Sequence, residues 1–426
     1  MEAVHDVINR IYKTESAKVL AVLTRVLGVH NLSLAEDVVQ ETFSKGLHSW
    51  QEKGIPIKPE AWIMQTAKNL AIDTIRANKT KLRFAEDLFY HLESEWSMHS
   101  VVEAEFQPDN IKDDQLRMIL MCCHENVKAE NKLPFILKTL CGFDVAAVAR
   151  AMVLPEATVK KRLLRTRQQL RGLSLDFPSD DQLPDRLSTV NTVLYLLFNE
   201  GFHSSHPDRS VHIIFCQEAI GLMRLLIDDP RLLNIETLAL FALMHFHIAR
   251  IDSRLDDEGV AIPIDLQNRT LWKDEYIQTA HYFMQLAIRM NDSVGGQPGR
   301  FLSEALIASE HCCAKKFSDT RWSRIVTHYQ QLIEVTGSPL AELNQAVAIA
   351  YAGDVERAIE TIERLESHAL LRSSNMPTAM LAHLHAKKGD AQKAHDYASQ
   401  SKKIGGTPRE HLVMMRQIER LLSETA

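Results

Sequence analysis

Apolar residues recur three and four positions apart through most of this 426-residue chain, and alternating apolar–polar stretches are scarce. A chain patterned this way buries helical stripes instead of one face of a pleated sheet, so the expected fold class is all-α. The 16 glycines and 14 prolines are few for the length and gather at candidate boundaries. They divide the chain into four parts. Residues 1–83 form a first helical module, and 84–112 an acidic connector carrying Glu86, Asp87, Glu93, Glu95, Glu103, Glu105 and Asp109. Residues 113–173 form a second module. After the polar break LDFPSDDQLPD at 175–185, a helical extension runs over 186–426.

Near 339–403 the extension repeats itself. Gly353 and Gly389 lie 36 residues apart, as do Ala358 and Ala394, each pair marking a Gly-Asp turn followed by a small residue. That period suggests tetratricopeptide-like helix pairs, with a plain helical bundle as the simpler alternative. Two visible units are few for a free-standing solenoid, so they are expected to stack on the helices before them.

Chemistry that the chain lacks narrows its function. Formal net charge is −6, so contact with nucleic acid has to come from local basic patches. The six cysteines (Cys122, Cys123, Cys141, Cys216, Cys312, Cys313) show no C-x-x-C spacing, and reduced thiols in the cytoplasm are the expectation. The N-terminal segment lacks a signal-peptide pattern, and no run approaches the roughly 20 apolar residues of a membrane span. No nucleophile elbow, phosphate loop, dinucleotide fingerprint or H-E-x-x-H occurs, so neither an enzyme nor a cofactor is expected. His203, His206, Asp208 and His212 form an H-x-x-H-x-D-like cluster in a loop-like stretch. With 19 histidines in the chain such clusters arise by chance, and no metal site is expected.

One basic segment stands out. In VAAVARAMVLPEATVKKRLLRTRQQLR (145–171), Val145, Val148, Ala149 and Met152 mark a short helix, and Leu154–Pro155–Glu156 a turn. A second helix follows, with Pro155 near its first position and Val159, Leu163, Leu164 and Leu170 as a docking stripe. This is a helix-turn-helix pattern. Glu156, Thr158, Lys160 and Lys161 fall early enough to meet base edges, while Arg162, Arg165 and Arg167 suit phosphates. The plainer alternative is a solvated helix face.

The first module carries two further helices. In LSLAEDVVQETFSKGLHSW (32–50), Ser33 and Glu36 have capping-box spacing. Asp37, Gln40 and Glu41 share one surface, and Val38, Phe43 and Leu47 another. PEAWIMQTAKNLAIDTIRANKTK (59–81) is expected to bury Trp62, Ile63, Ala67, Leu70, Ala71 and Ile75. Its other side presents Lys68, Asn69, Asp73 and Arg76, amide and cationic groups suited to unpaired bases and backbone phosphates.

In this order, AEDVVQETF, WIMQTAKNLAIDTIR, an acidic linker and a helix-turn-helix ending in RTRQQLR, the chain resembles an ECF-type bacterial RNA polymerase sigma factor over about residues 10–173. The resemblance implies two partners, core RNA polymerase and promoter DNA. Asp37, Gln40 and Glu41 match the surface that docks on the polymerase clamp helices. Trp62, Lys68, Asn69, Asp73 and Arg76 match the segment that opens the −10 element, and the helix-turn-helix matches the −35 reader. The acidic linker would occupy nucleic-acid channels of the polymerase, its carboxylates mimicking phosphates.

The extension, with VLYLLFNEGFHSS, DLQNRTLW and the closing repeats, is similar to the long tails of a subgroup of these factors. Asn268 stands where aspartate is expected. Phe198–Gly201 reads either as a turn with a polar contact or as a buried structural network. A regulatory role for the extension, through an intramolecular or protein partner, is the expectation. Two rival readings remain: a stand-alone helix-turn-helix regulator with a helical sensor domain, and a tetratricopeptide-type interaction scaffold.

Overall fold

The computed structural model describes residues 4–28, 31–78, 88, 92, 95–152, 154–171, 173, 177–203, 213–256, 259–372 and 374–425. Among the described residues there are nineteen α-helices and no strand, only an isolated bridge between Leu255 and Ala261. The all-α expectation holds. The chain forms two compact units, one of Met1–Gly201 with His212–Leu232, the other of Phe202–Val211 with Leu233–Ala426.

The first unit is built around α1 (Val4–Leu27). Five successive residues, Val19 to Leu23, are buried on it, which places packed neighbours on every side. Two are α2 (Leu32–Lys53) and α3 (Pro59–Asn78), which complete a three-helix core with Val38, Phe43, Trp50, Ile63, Ala67 and Ile75. Leu47 is half-buried. Ser33 is not the cap of α2. The helix begins one residue before it, after Asn31, whose side-chain amide donates back to the Leu27 carbonyl at 2.8 Å.

Next come α4 (Glu95–Glu105) and α5 (Pro108–Cys122). The second half of the acidic connector is therefore helix, pinned by buried Met98 and Val102; Glu86, Asp87 and Glu93 lie outside the described residues. Beyond it, α6 (Ala129–Leu140), α7 (Val145–Ala151) and α8 (Glu156–Arg171) complete the second module. Asp144 caps α7 by accepting from the Ala147 amide at 2.7 Å. Gly142, at φ 75, is required where it stands, because a Cβ there would collide with the Lys13 carbonyl of α1.

The first two helices of the extension, α9 (Leu183–Phe202) and α10 (Ile213–Asp228), fall almost wholly in this unit. The buried guanidinium of Arg186 donates to the Leu120 carbonyl at 3.2 Å. Glu218 pairs with Lys18 at 2.6 Å, and Phe215 stacks on Phe143 with centroids 5.6 Å apart. Phe198–Gly201 lies inside α9 and forms no turn, and Phe198 is buried.

The second unit centres on α11 (Ile235–Ile248), nearly every residue of which is buried, with α12 (Asp274–Ser293) and α13 (Arg300–Cys313) packed on it. Between α11 and α12 the QNRTLW stretch acts as a staple. Arg269 donates to the His311 and Ala314 carbonyls at 2.6 and 2.7 Å and lies 4.5 Å from the Trp272 ring centroid. The Trp272 indole donates to Ser253 at 2.8 Å. Asn268 accepts from the Thr270 amide and hydroxyl, capping the turn without a charge.

The remaining helices follow one another, each packed on the next: α14 (Trp322–Thr336), α15 (Pro339–Tyr351), α16 (Val355–Glu366), α17 (Met376–Lys387), α18 (Ala391–Ile404) and α19 (Pro408–Thr425). The 36-residue repeat is physical. Gly353 and Gly389 have φ 115 and 85, Asp354 and Asp390 cap the next helices, and Ala358 and Ala394 are fully buried at the crossings.

Candidate nucleic-acid and polymerase interface

On α2 the buried stripe fixes what remains outside. With Ala35, Val38, Val39 and Thr42 facing inward, Asp37, Gln40 and Glu41 are all exposed, and Glu41 pairs with Lys45 one turn on, at 3.0 Å. They form an acidic-polar strip with no packing role.

On α3, Asn69, Asp73 and Arg76 are exposed along the side opposite Ile63, Ala67 and Leu70. Trp62 is half-buried, not buried as expected, because its ring leans edge-on against Trp50 at 5.5 Å while its other side stays open. A half-open indole beside exposed amide and cationic groups is suited to stacking on an unpaired base. Lys68 is covered. Glu103 of α4, a carboxylate of the connector, sits on it at 3.3 Å.

Helix α8 sorts its residues equally clearly. Val159, Leu163 and Leu170 are buried, and Thr166 is buried with its hydroxyl donating to the Asn131 carbonyl at 2.9 Å. Leu164, assigned to the docking stripe from spacing, is instead 59% exposed, since the seat for α8 on α6 and α7 is narrower than the apolar run. Glu156, Lys160, Lys161 and Arg165 are exposed, and Thr158 is half-exposed. Pro155 accepts from the Thr158 and Val159 amides, so the helix opens where the spacing placed it.

Two of the basic residues are turned to protein. Arg162 donates to the Glu130 carbonyl at 2.8 Å. Arg167 grips Glu36 of α2 through Nε and Nη2, at 3.1 and 2.7 Å. Glu36 is the residue immediately before the exposed acidic strip, so α8 is tied to α2 at its edge. No feature of the sequence marks this contact, which joins positions 131 apart.

A second charge cluster sits where α1, α4 and α5 meet. Arg25 lies 3.8 Å from Asp114 and 3.9 Å from Glu105. Burial, with Glu105 nearby, pushes the Asp114 carboxyl up to about 8. Among the described residues no group of three or more His, Cys, Asp or Glu is placed to hold a metal ion. His206, Asp208 and His212 lie outside the described residues, and His203 accepts from Arg254 at 2.7 Å. The described cysteines are free, with Cys122, Cys123, Cys141 and Cys216 buried as small apolar groups. No described helix is long and apolar enough to cross a membrane.

A three-helix module with an open aromatic, joined to a helix-turn-helix with an exposed basic helix, defines a helical DNA-directed factor of the sigma class. Comparison with known proteins agrees. The description of Sigma-70 region 2 matches residues 11–81, and a family of unknown function, DUF6596, matches residues 186–288. An uncharacterized protein of Rhizobium meliloti (strain 1021) is 30% identical over 342 residues, 79% of this chain and 78% of its own. ECF RNA polymerase sigma factor SigM of Bacillus subtilis (strain 168) is 26% identical over 171 residues, 39% of this chain and 93% of that protein. SigW of the same organism is 27% identical over 182 residues, covering 40% and 88%. No solved structure matches the chain. The chain belongs to the ECF sigma factors that carry a long C-terminal helical extension.

Proposed function

We propose that this chain docks on core RNA polymerase through Asp37, Gln40 and Glu41, and captures a promoter at two points. Trp62, Lys68, Asn69, Asp73 and Arg76 take the melted −10 strand. On the −35 duplex, Glu156, Thr158, Lys160 and Lys161 meet base edges, and Arg162, Arg165 and Arg167 meet phosphates. Nothing in this task needs a catalytic group or cofactor of the chain's own. The observation that carries the reading is the exposure of the α2 strip and the α3 polar side within one module that matches Sigma-70 region 2.

The extension, in this reading, regulates that activity from within the chain. Support comes from α9 and α10, which are packed into the unit that holds both DNA-directed modules. Two partners follow, core polymerase and promoter DNA, with the extension's own partner a further one, and the site of action is the cytoplasm where these meet.

The test is to mix the full-length protein with bacterial core polymerase, measure complex formation, and map transcription starts on genomic DNA. Stable binding with starts that share one −35/−10 pair is the expected result. A D37K/E41K variant that binds core as tightly as the parent would remove the docking assignment. Duplex DNA binding with no core binding would favour the stand-alone regulator.

A further inference from the structure

The repeats of the second unit turn matching positions to one side. Asn344, Met380 and Met414 follow one another 36 and 34 residues apart on α15, α17 and α19, and Val347, His383 and Gln417 do the same one turn on. Facing them is the segment Val260–Asp265, between α11 and α12. It is fastened at its end, where Asp265 accepts from Gln417 at 3.3 Å and pairs with Arg420. Between segment and helices lies a cavity of about 680 Å³, within the range of roughly 300–1,000 Å³ typical of small-molecule sites.

Its lining is mainly apolar. Pro263 and Ile264 on one side, and Val347, Met380, Val413 and Met414 on the other, are only half-buried although protein stands on both sides. Another part is aromatic. Trp322 and Tyr351 stack at 4.8 Å and 21°, and Phe317 meets both edge-on at 5.3 and 5.2 Å. The Lys387 ammonium lies 4.5 Å from the Tyr351 centroid, and the Tyr351 hydroxyl meets His383 at 2.9 Å. The polar atoms of this cluster are therefore already matched, and what it offers an incoming molecule is ring carbon.

Four charged side chains reach the lining, two of each sign, and none is left to draw in a counter-charge. Arg254 donates to His203 at 2.7 Å and lies 4.1 Å from the Phe202 centroid. Asp265 is clasped by Gln417 and Arg420. Glu410 accepts from the Thr407 amide at 2.7 Å, at the start of α19, and Arg409 beside it is exposed to solvent. Burial holds the imidazoles of His311 and His383 neutral, down to about 3 and about 4. A charged molecule entering here would lose its hydration and gain no uncommitted partner in return.

We infer that this cavity binds one uncharged, largely apolar small molecule, held between the Val260–Asp265 segment and the inner side of α15, α17 and α19. The inference goes beyond the sigma reading and does not depend on it. Covering the half-open valine, isoleucine and methionine surface supplies the affinity, and the flexible thioethers of Met380 and Met414 adapt the cavity to its occupant.

The test uses the full-length protein without polymerase, so its failure and that of the sigma reading are told apart. Fluorescence titration compares N-phenyl-1-naphthylamine, which is uncharged, with 8-anilinonaphthalene-1-sulfonate, the same skeleton bearing an anion. The uncharged probe is expected to bind once per chain and at least tenfold more tightly than the sulfonate. Asn344→Trp, at an exposed lining position, and Met380→Trp, at a half-buried one, should each weaken it at least tenfold without loss of helicity by circular dichroism. The comparison of the two probes on the parent chain stands whether or not either variant folds. No binding of the uncharged probe, more than one site per chain, a sulfonate affinity within tenfold of it, or parental affinity in either folded variant would each overturn the assignment.

Discussion

Glu36 and Arg167 meet at 2.7 Å with side chains 19% and 42% exposed, a half-wet ion pair of the kind worth about 0.2–1 kcal/mol. Small as that is, it decides where the Arg167 guanidinium points. Replacing Glu36 by Gln removes the charge and keeps the shape, so the free protein should bind −35 duplex about two- to fivefold more tightly. Fluorescence anisotropy without polymerase reads this directly, and unchanged affinity would mean the pair does not compete with DNA. Asp114 gives a prediction of a different sign. Its carboxyl is held at about 8 in the fold and titrates near 4 when unfolded. Its contribution to stability is thus complete below pH 4 and is lost as pH rises to about 8. Asp114→Asn should therefore raise the melting temperature by a few degrees at pH 8.5 and by less at pH 5.5, and a gain independent of pH would refute the buried-acid account. Neither site is visible in sequence. Arg167 reads as one cation among many, and Asp114 as one acid in a polar run, because what distinguishes them is a partner or a degree of burial.

At the level of elements, local signals were the legible ones. The Gly-Asp turns at 353 and 389, the proline at the start of α8 and the apolar stripes of α2 and α3 all report on short-range backbone and packing demands. Where the neighbour sets the answer, spacing misleads. Leu164 continues an apolar run yet faces solvent, and Ser33 has cap chemistry but the chain turns at Asn31. Helix α4 was hidden because its acidic residues suggest a solvated spacer, while two buried side chains, Met98 and Val102, suffice to dock it. The surface of α8 yields the next prediction. Lys161 and Arg165 are exposed, so Arg165→Ala should weaken binding to every duplex and lower the salt slope by about one. Substituting Thr158 or Lys160 should instead change which −35 sequence is preferred. Competition titrations at several salt concentrations separate the two classes, and identical behaviour in all three variants would argue against base reading by α8.

For the molecule as a whole, the first unit poses a geometric problem. The −10 and −35 elements lie about 25 base pairs apart, roughly 85 Å at 3.4 Å per pair. Yet α8 is within hydrogen-bonding distance of α2, whose neighbour α3 carries the residues proposed to take the −10 strand. Both elements cannot be held at once while Arg167 stays on Glu36. Capture at two points therefore requires α8 to move away from α2, and the contacts that α10 and α9 make with α1 and α5, Glu218 to Lys18 and Arg186 to Leu120, set part of the cost. If this is right, tethering the two helices should silence the protein. Cysteines placed at 36 and 167, in a chain with the exposed Cys313 changed to Ser, are joined by a short bismaleimide containing a reducible bond. The untreated variant should transcribe from its promoter, the tethered one at least tenfold less, and reduction should restore it. Core binding should survive tethering, because Asp37, Gln40 and Glu41 remain exposed in the closed arrangement. Full transcription by the tethered chain would mean that the two modules work without separating, and the two-point capture would have to be abandoned.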